Sequence, residues 1–226
     1  MIEGIVFDMD GVLIDSHPVH RVAWSKFLAT VGKKVTDEGL SFILGGRRRE
    51  EILRHFFGDL PESKIAEYGH QKDLFFEENF HDVKLIPGVR KFLDSLEIAG
   101  LKSAIATSAS SARTWGTLRR LRLDKKFTVV VTGDDVEAGK PDPEVYQLAA
   151  ERMKLSPEKL LAVEDAPCGV QAARSAGMRC IGVTTNGRAE MLRQCGAEFV
   201  VPDFLHLSIE SLSELNGRES SGRHLV

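Results

Sequence analysis

The chain has 226 residues, of which 42% are hydrophobic and 28% charged, and its formal net charge is -3. This balance of charge does not favour a nucleic-acid-binding protein, which usually has a basic surface. No apolar run approaches the roughly 18 residues of a membrane span, and Met1 to Gly4 lacks the basic start of a signal peptide. The three cysteines have no zinc-ligand spacing. We therefore expect a reduced, cytoplasmic protein with no membrane or nucleic-acid partner.

Short apolar runs alternate with helical patterns along most of the chain. The runs predict strands at residues 5–7, 103–106, 128–131, 160–163, 180–183 and 198–201. Between them, a helix is expected from Pro87 to Gly100, another after Asp142, and a third from Pro167 to Gly177. Because the runs are almost continuously apolar, they indicate a sheet covered on both faces. The sequence thus predicts an α/β fold with a doubly wound parallel sheet.

One long segment interrupts this alternation. From about Ser16 to Lys84 only helical periodicity is visible, beginning with a helix that opens at Pro18 and stops at Gly32. We therefore predict two domains: a core formed by residues 1–15 and 85–216, and a helical insert formed by residues 16–84. The Gly- and Ser-containing end, residues 217–226, is expected to be a disordered tail.

Polar side chains follow the predicted strands at their carboxyl ends, where ligands bind in parallel α/β sheets. They are Asp8 and Asp10, Thr107 and Ser108, Asp134 and Asp135, and Glu164 and Asp165, with Lys140 shortly after the third strand. Crowded carboxylates repel one another unless a cation lies among them. Oxygen ligands without histidine or cysteine favour Mg²⁺, and a cation beside a lysine and a hydroxyl suits a phosphoryl group.

Each of these residues alone also has an ordinary structural explanation. A lone aspartate at a strand end is more often a turn or helix-capping residue, and Ser108 could be only the N-cap of the next helix. Glu164 and Asp165 could cap a helix likewise, and Lys140 could be a solvated loop charge. The segment from Gly133 to Lys140 has neither the spacing nor the Ser/Thr of a nucleotide phosphate loop.

Together and in order, four segments resemble the four motifs of the haloacid dehalogenase (HAD) superfamily. They are residues 8–16 (DMDGVLIDS), 107–108 (TS), 139–143 (GKPDP) and 163–165 (VED). The helical insert after the first motif resembles the small α-helical cap of β-phosphoglucomutase and of many sugar-phosphate phosphatases. The resemblance implies a Rossmann-like HAD core with an inserted α-helical cap domain.

The resemblance also implies roles for individual residues. Asp8 would be the nucleophile that becomes an aspartyl phosphate, and Asp10 the general acid and base. The phosphoryl group would be held by Ser108, Ala109 and Lys140, and Mg²⁺ by Asp8, the backbone carbonyl of Asp10, Glu164 and Asp165. An aspartate carboxylate is ionised at neutral pH and needs no base to activate it. An acid at Asp10 favours cleavage of a phosphate ester, because dehalogenases and phosphonate-cleaving members lack it.

Three residues of the insert match cap positions of β-phosphoglucomutase: His20, Arg49 and Lys72. They are expected to bind the substrate, although each could also be a surface or solvated helix residue. The segment around Arg47 departs from the mutase pattern of Gly, any residue, Ser, Arg. We therefore expect a Mg²⁺-dependent, monomeric phosphatase acting on a small phosphorylated metabolite, in the first place a sugar phosphate. The alternatives are a β-phosphoglucomutase-like mutase and an inactive binding module.

Overall fold

A parallel sheet forms the centre of the protein in a computed structural model that describes residues 1–184 and 187–212. In chain order the strands are β1 (Gly4–Phe7), β2 (Ile14–Asp15), β3 (Lys84–Leu85), β4 (Lys102–Ala106), β5 (Val129–Val131), β6 (Leu160–Glu164), β7 (Arg179–Val183) and β8 (Val200–Val201). Within the described residues, six of them form one sheet in the order β5-β4-β1-β6-β7-β8. All neighbouring pairs in this sheet are parallel.

Helices connect the strands and cover both faces of the sheet. They are α1 (His17–Thr30), α2 (Asp37–Ile43), α3 (Arg49–Phe57), α4 (Glu62–Glu78), α5 (Val89–Ile98), α6 (Ser111–Arg120), α7 (Glu144–Met153), α8 (Pro167–Ser175) and α9 (Ala189–Gln194). Short 3₁₀ helices lie at Phe80–Asp82, Gly133–Asp135, Pro157–Lys159 and Phe204–His206. None of the helices in the described ranges is long and apolar enough to cross a membrane.

The central strands are buried because they are apolar on both sides. Every residue of β1 and of β6 is buried, and separate apolar clusters cover the two faces of the sheet. Helix α5 shows the amphipathic pattern on which this packing depends, since Val89, Phe92 and Leu96 are all buried. The predicted doubly wound parallel sheet with a helical insert is confirmed. Strand β8 is shorter than the run 198–201 predicted, and α7 begins at Glu144, one residue after the expected proline start.

The four helices α1 to α4 build a small apolar cluster of their own, away from the sheet. It contains Trp24, Phe27, Leu28, Ile43, Leu44, Ile52, Leu53 and Ile65. The two strands β2 and β3 join this helical segment to the sheet as an antiparallel pair, with Asp15 opposite Lys84. This pair could not be predicted from the sequence, because two-residue strands show no periodicity. The exact division into residues 1–15, 16–84 and 85–216 stays a prediction, and the predicted disordered tail, residues 217–226, lies outside the described residues.

Candidate active site

Three neighbouring strands bring the predicted site residues to one edge of the sheet. Strand β1 lies between β4 and β6, so Asp8 after β1 meets Ser108 after β4 and Asp165 after β6. A pocket at this edge is lined by Asp8, Asp10, His20, Arg49, Lys72, Ser108, Ala109 and Asp165 among others. Lys140 and Glu164 lie beneath this pocket. They are hydrogen-bonded to each other, and Lys140 is also hydrogen-bonded to Asp8. The structure therefore brings all ten predicted site residues together.

Lys140 is a fully buried ammonium group held between two carboxylates. Its Nζ donates to Asp8 Oδ1 at 2.7 Å, to Glu164 Oε1 at 2.6 Å and to the Ala106 carbonyl at 3.0 Å. Burial alone would lower the pKa of Lys140, but Asp8 and Glu164 raise it above the usual lysine value. Tyr146 donates to the same oxygen of Glu164 at 2.7 Å. The lysine thus stays charged, with a fixed position beside Asp8.

Asp8, Glu164 and Asp165 form a buried acidic cluster whose oxygen atoms lie within 4.8 Å of one another. Burial and the neighbouring Glu164 together raise the pKa of Asp8 to about 7, against the opposing effect of Lys140. Burial and the same neighbouring carboxylates raise the pKa of Asp165 well above its usual range. Both pKa shifts indicate that the cluster has more negative charge than Lys140 alone can neutralise.

The cluster has the properties of a divalent-cation site. Asp165 Oδ2 is buried and has no hydrogen-bond partner within residues 1–184 and 187–212, although His17 Nε2 lies 3.3 Å away. Such an atom is costly unless a ligand satisfies it. The available donors are carboxylate oxygens, which suit hard cations such as Mg²⁺. Glu164 Oε2 already accepts the backbone N–H of Asp165 at 3.0 Å, which fixes the loop that carries the orphaned oxygen.

Asp10 has surroundings of the opposite electrostatic sign. Its Oδ1 accepts hydrogen bonds from Ser16 Oγ at 2.6 Å and Arg113 Nη1 at 3.0 Å, and Arg113 Nη2 donates to Oδ2. His20 Nε2 lies 3.3 Å from Oδ1. Burial raises the pKa of Asp10, but Arg113 and His20 outweigh it and hold the pKa well below the usual range. Two aspartates separated by one residue therefore differ sharply in their affinity for a proton.

Three residues at the site were not predicted from the sequence: Arg113, Asp73 and His17. Arg113 carries a signal that could have revealed it, because it lies in the first turn of α6, after the N-cap Ser110. A cation there is unfavourable for the helix dipole, so its presence needs another reason. Asp73 and His17 carry no comparable signal, since their importance depends on which way their helices face.

The predicted cap residues line the pocket opposite the acidic cluster. Arg49 Nη1 and Lys72 Nζ share the carboxylate of Asp73, at 3.0 and 3.2 Å. Burial lowers the pKa of Lys72 to about 8, even though Asp73 raises it. His20 packs on the Phe76 ring, with 4.7 Å between ring centroids, and burial lowers its pKa to about 3. This wall of the pocket is therefore cationic, and its histidine is neutral.

Ser108 and Ala109 lie in the pocket wall on the loop after β4. Ser108 Oγ donates to the carbonyl of Gly46 at 2.7 Å, and the Ala109 N–H donates to Thr107 Oγ1 at 3.2 Å. Gly46 belongs to the segment between α2 and α3, so this hydrogen bond crosses from the sheet to the helical insert. The insert therefore covers the pocket, and a ligand that binds the Ser108 hydroxyl must replace this bond.

The sheet, the acidic cluster with its buried lysine and the covering helical insert can be compared with known proteins. Residues 5–183 match the model of the haloacid dehalogenase-like hydrolases, and the chain belongs to this family. The predicted HAD-type hydrolase with phosphomonoester chemistry is thereby confirmed.

Similar proteins include enzymes of sugar phosphates. The chain is 37% identical over 208 residues to "Phosphorylated carbohydrates phosphatase" of Thermotoga maritima, covering 88% of this chain and 94% of that protein. It is 32% identical over 222 residues to "Beta-phosphoglucomutase" of Bacillus subtilis, covering 94% of both. The crystal structure of β-phosphoglucomutase from Clostridium difficile superposes with a TM-score of 0.86, at 25% identity, over 97% of this chain and 99% of that one.

Proposed function

We propose that this protein is a Mg²⁺-dependent phosphatase that hydrolyses a small phosphorylated metabolite, in the first place a sugar phosphate. The observation that carries the proposal is the contrast between Asp8 and Asp10. One carboxylate lies beside a buried lysine and a candidate cation site, and the other is held by hydrogen bonds on the opposite side. A nucleophile and a separate acid–base group need such different environments. The carbohydrate phosphatase of Thermotoga maritima supports the substrate class.

Asp8 would act as the nucleophile. Its carboxylate attacks the phosphorus atom, an Asp8–phosphate bond forms, and the bond from phosphorus to the ester oxygen breaks. The obstacle is repulsion between two anions, which Lys140 reduces from its fixed position 2.7 Å from Asp8 Oδ1. Ser108 and the backbone of Ala109 would hold the phosphoryl oxygens from the neighbouring strand end.

The residues that would hold the metal are Asp8, Glu164 and Asp165, with the backbone carbonyl of Asp10. Their oxygen atoms fit a hard divalent cation, and the orphaned Asp165 Oδ2 supplies a ligand that no described residue uses. When bound, Mg²⁺ would neutralise charge that develops on the phosphoryl oxygens. His17 lies beside the buried Asp165, and burial lowers the pKa of His17, so its ring stays neutral. His17 therefore does not supply the positive charge that a cation would bring to Asp165.

Asp10 would move the protons. It donates a proton to the ester oxygen as that oxygen leaves, and in the second step it takes a proton from the water that attacks the aspartyl phosphate. That attack releases inorganic phosphate and restores the Asp8 carboxylate. The hydrogen bonds from Arg113 keep Asp10 deprotonated in this structure and lower its affinity for a proton, so the approach of the substrate must change these surroundings before Asp10 can carry a proton in either step. Arg113, through its two hydrogen bonds to Asp10, would control this change.

A phosphosugar mutase is the second candidate, and the position of His20 favours it. His20 contacts Asp10 directly from the insert, as expected for a cap residue that gates phosphoryl transfer. The β-phosphoglucomutase relatives support the same reading. A mutase must exclude water until a sugar hydroxyl attacks the phosphoryl group on Asp8.

Two assays separate these candidates. Phosphate release from a panel of sugar phosphates, with Mg²⁺ present, is expected for a phosphatase. Isomerisation of β-glucose 1-phosphate, primed by a sugar bisphosphate, is expected for a mutase. If neither phosphate release nor isomerisation occurs in metal-loaded protein, the chain is an inactive binding module and the proposed function is wrong. We expect it to act as a monomer, which gel filtration of the same sample checks.

A further inference from the structure

Tyr146 is a fully buried residue of α7 whose hydroxyl contacts the acidic cluster. It donates to Glu164 Oε1 at 2.7 Å, and the same oxygen accepts a hydrogen bond from Lys140 Nζ at 2.6 Å. The rest of the side chain belongs to the apolar cluster on one face of the sheet, where a phenylalanine would pack equally well. A buried hydroxyl is unfavourable unless it is hydrogen-bonded. The bond to Glu164 is therefore the feature that distinguishes a tyrosine from a phenylalanine at this position.

The position of Lys140 depends on the acceptors around its ammonium group. An ammonium group has three N–H donors, and those of Lys140 point to Asp8 Oδ1, Glu164 Oε1 and the carbonyl of Ala106. In the proposed reaction Asp8 becomes phosphorylated, so it is not a constant acceptor. The carbonyl of Ala106 is fixed by strand β4. Glu164 Oε1 lies at the end of a side chain, so its neighbours must hold it in place.

Glu164 is held from several sides. Its Oε2 accepts the backbone N–H groups of Asp165 at 3.0 Å and Ala166 at 3.3 Å. A Cβ atom at Gly169 would collide with the carboxylate, so the glycine leaves the space that Glu164 fills. Its Oε1 accepts from Lys140 and from Tyr146. Because Lys140 is itself the group to be positioned, the hydroxyl of Tyr146 is the donor that fixes Oε1 independently.

We propose that Tyr146 is a positioning residue for phosphoryl transfer: its hydroxyl fixes Glu164 Oε1, which in turn holds Lys140 Nζ beside Asp8. This inference rests on the proposed function, and it adds a residue that lies outside the four family motifs. One short segment carries both donors, because Lys140 lies on the loop before α7 and Tyr146 in the first turn of that helix. Lys140 Nζ also lies 5.0 Å from the centroid of the Tyr146 ring, a contact that a phenylalanine would keep.

The first test measures kcat and KM in Tyr146→Phe, which removes the hydroxyl and keeps the ring. The chain has two tyrosines, so Tyr68→Phe is a matched control. Tyr68 packs in the insert against Phe27 and Phe57, with 5.4 and 5.2 Å between ring centroids. The substrate is a sugar phosphate that the wild type hydrolyses, assayed at saturating Mg²⁺, and thermal unfolding shows that each variant is folded.

Tyr146→Phe should lower kcat by about tenfold to a hundredfold, which is the usual loss when a supporting hydrogen bond at an active site is removed. Its KM should hardly change, because the residues of the insert that would bind the substrate are untouched. Tyr68→Phe should keep both the kcat and the KM of the wild type. A wild-type kcat in Tyr146→Phe, with or without a change in KM, would overturn the inference.

The second test observes the ammonium group of Lys140 directly by NMR. In protein labelled with ¹⁵N-lysine, the resonance of this buried group is identified by its absence in Lys140→Arg. Tyr146→Phe should shift the resonance and Tyr68→Phe should not. When Glu164→Gln is present in both proteins, Tyr146→Phe should cause no further shift, because the oxygen through which Tyr146 acts has changed. A fall in kcat without a shift, or an equal shift in the Glu164→Gln background, would also overturn the inference.

The NMR measurement needs no turnover, so it separates failure of this inference from failure of the proposed function. Should the wild type release no phosphate from any sugar phosphate while Tyr146→Phe shifts the Lys140 resonance only when Glu164 is present, the phosphatase proposal fails and the link from Tyr146 to Lys140 stands. Should the wild type hydrolyse a sugar phosphate while neither kcat nor the resonance changes in Tyr146→Phe, the phosphatase proposal stands and the role of Tyr146 is wrong.

Discussion

Asp8 and Asp10 lie two positions apart in the chain but differ in what surrounds their carboxylates. Asp8 shares its site with Glu164 and Asp165, so burial and like charge raise its pKa to about 7. Asp10 is held by Arg113 and Ser16, which stabilise its charged form. The end of β1 places the two side chains, and residues from neighbouring strands, loops and helices determine the pKa of each. The two carboxylates therefore titrate differently, and we expect a cation bound beside Lys140 to keep Asp8 ionised for its attack on phosphorus.

Replacement of the nucleophile should remove activity without removing the fold. Asp8→Asn keeps the volume of the side chain but cannot form the acyl phosphate, so kcat should fall on the order of a thousandfold or more. Thermal unfolding of the same sample provides the control and should show a cooperative transition. Turnover like that of the wild type, in protein shown by mass spectrometry to be free of deamidation, would exclude Asp8 as the nucleophile.

The pH dependence of activity should report the charge of Lys72. Burial lowers its pKa to about 8, so the ammonium loses its proton as the pH rises through that value. If Lys72 binds substrate oxygens, kcat/KM for the free enzyme falls above about pH 8. Lys72→Arg should move this fall to higher pH, because arginine stays protonated. Lys64→Arg, an exposed change on the same helix, is the control, and an alkaline limb unmoved in Lys72→Arg would contradict the role.

At the scale of elements, the sequence was most informative where strands end. Asp8, Ser108 and Asp165 could be predicted because each follows an apolar run, and parallel strands align their carboxyl ends. Lys140 could be noticed shortly after the third predicted strand, but its role was implied only by the family motif. Arg113 and Asp73 were missed because their positions in α6 and α4 matter only once the helices are packed against the pocket. The strands β2 and β3 were missed because pairing of two residues leaves no pattern.

Helix α4 contains a glycine whose place is explained by its neighbour on α3. A Cβ atom at Gly69 would lie 2.5 Å from Arg49 Nε, so Gly69→Ala should displace Arg49 from the pocket wall. We expect kcat/KM for the preferred substrate to fall by about tenfold, as for a lost charge-assisted contact. Kinetics with a sugar phosphate measure this change.

Gly116 provides a matched control, because it is also within a helix but nothing lies within 4 Å of an added Cβ atom. Gly116→Ala should raise the free energy of unfolding by up to about 1 kcal/mol, through helix propensity, and leave kinetics unchanged. If Gly69→Ala and Gly116→Ala behave alike in both assays, then Gly69 has no part in positioning Arg49.

At the scale of the whole molecule, contacts on both sides of the pocket join the insert to the sheet domain. Arg48 from the insert donates to the carbonyls of Val136 and Glu137, and Arg188 from the sheet side donates to the carbonyl of Leu44 at 3.0 Å. With the Ser108–Gly46 bond they hold the insert over the acidic cluster. We therefore expect the strand ends to carry out the chemistry and the insert to exclude water.

Metal binding should stabilise the folded protein as well as activate it. Mg²⁺ would relieve the repulsion among Asp8, Glu164 and Asp165, so it should raise Tm, with about 2.7 kcal/mol of stabilisation at a hundredfold excess over Kd. Removal of metal with EDTA should abolish phosphate release. Asp165→Asn should lose the Mg²⁺-induced rise yet be at least as stable as metal-free wild type, because one crowded carboxylate is gone.

The control for this experiment is Asp59→Asn, which alters a fully exposed carboxylate far from any cluster. It should keep the whole of the Mg²⁺-induced rise in Tm. Full activity after exhaustive chelation, or a rise in Tm that survives in Asp165→Asn, would count against a cation site at these residues.

A phosphoryl group that passes through Asp8 can be trapped there during turnover. Wild-type protein would be mixed with Mg²⁺ and a sugar phosphate that it hydrolyses, quenched in acid during turnover, digested and analysed by mass spectrometry. We expect the peptide containing Asp8 to gain the mass of one phosphoryl group, fragmentation to assign that group to Asp8, and Asp8→Asn to gain nothing. A phosphoryl group on another residue, or none in protein quenched while turning over rapidly across a range of quench times, would contradict this expectation.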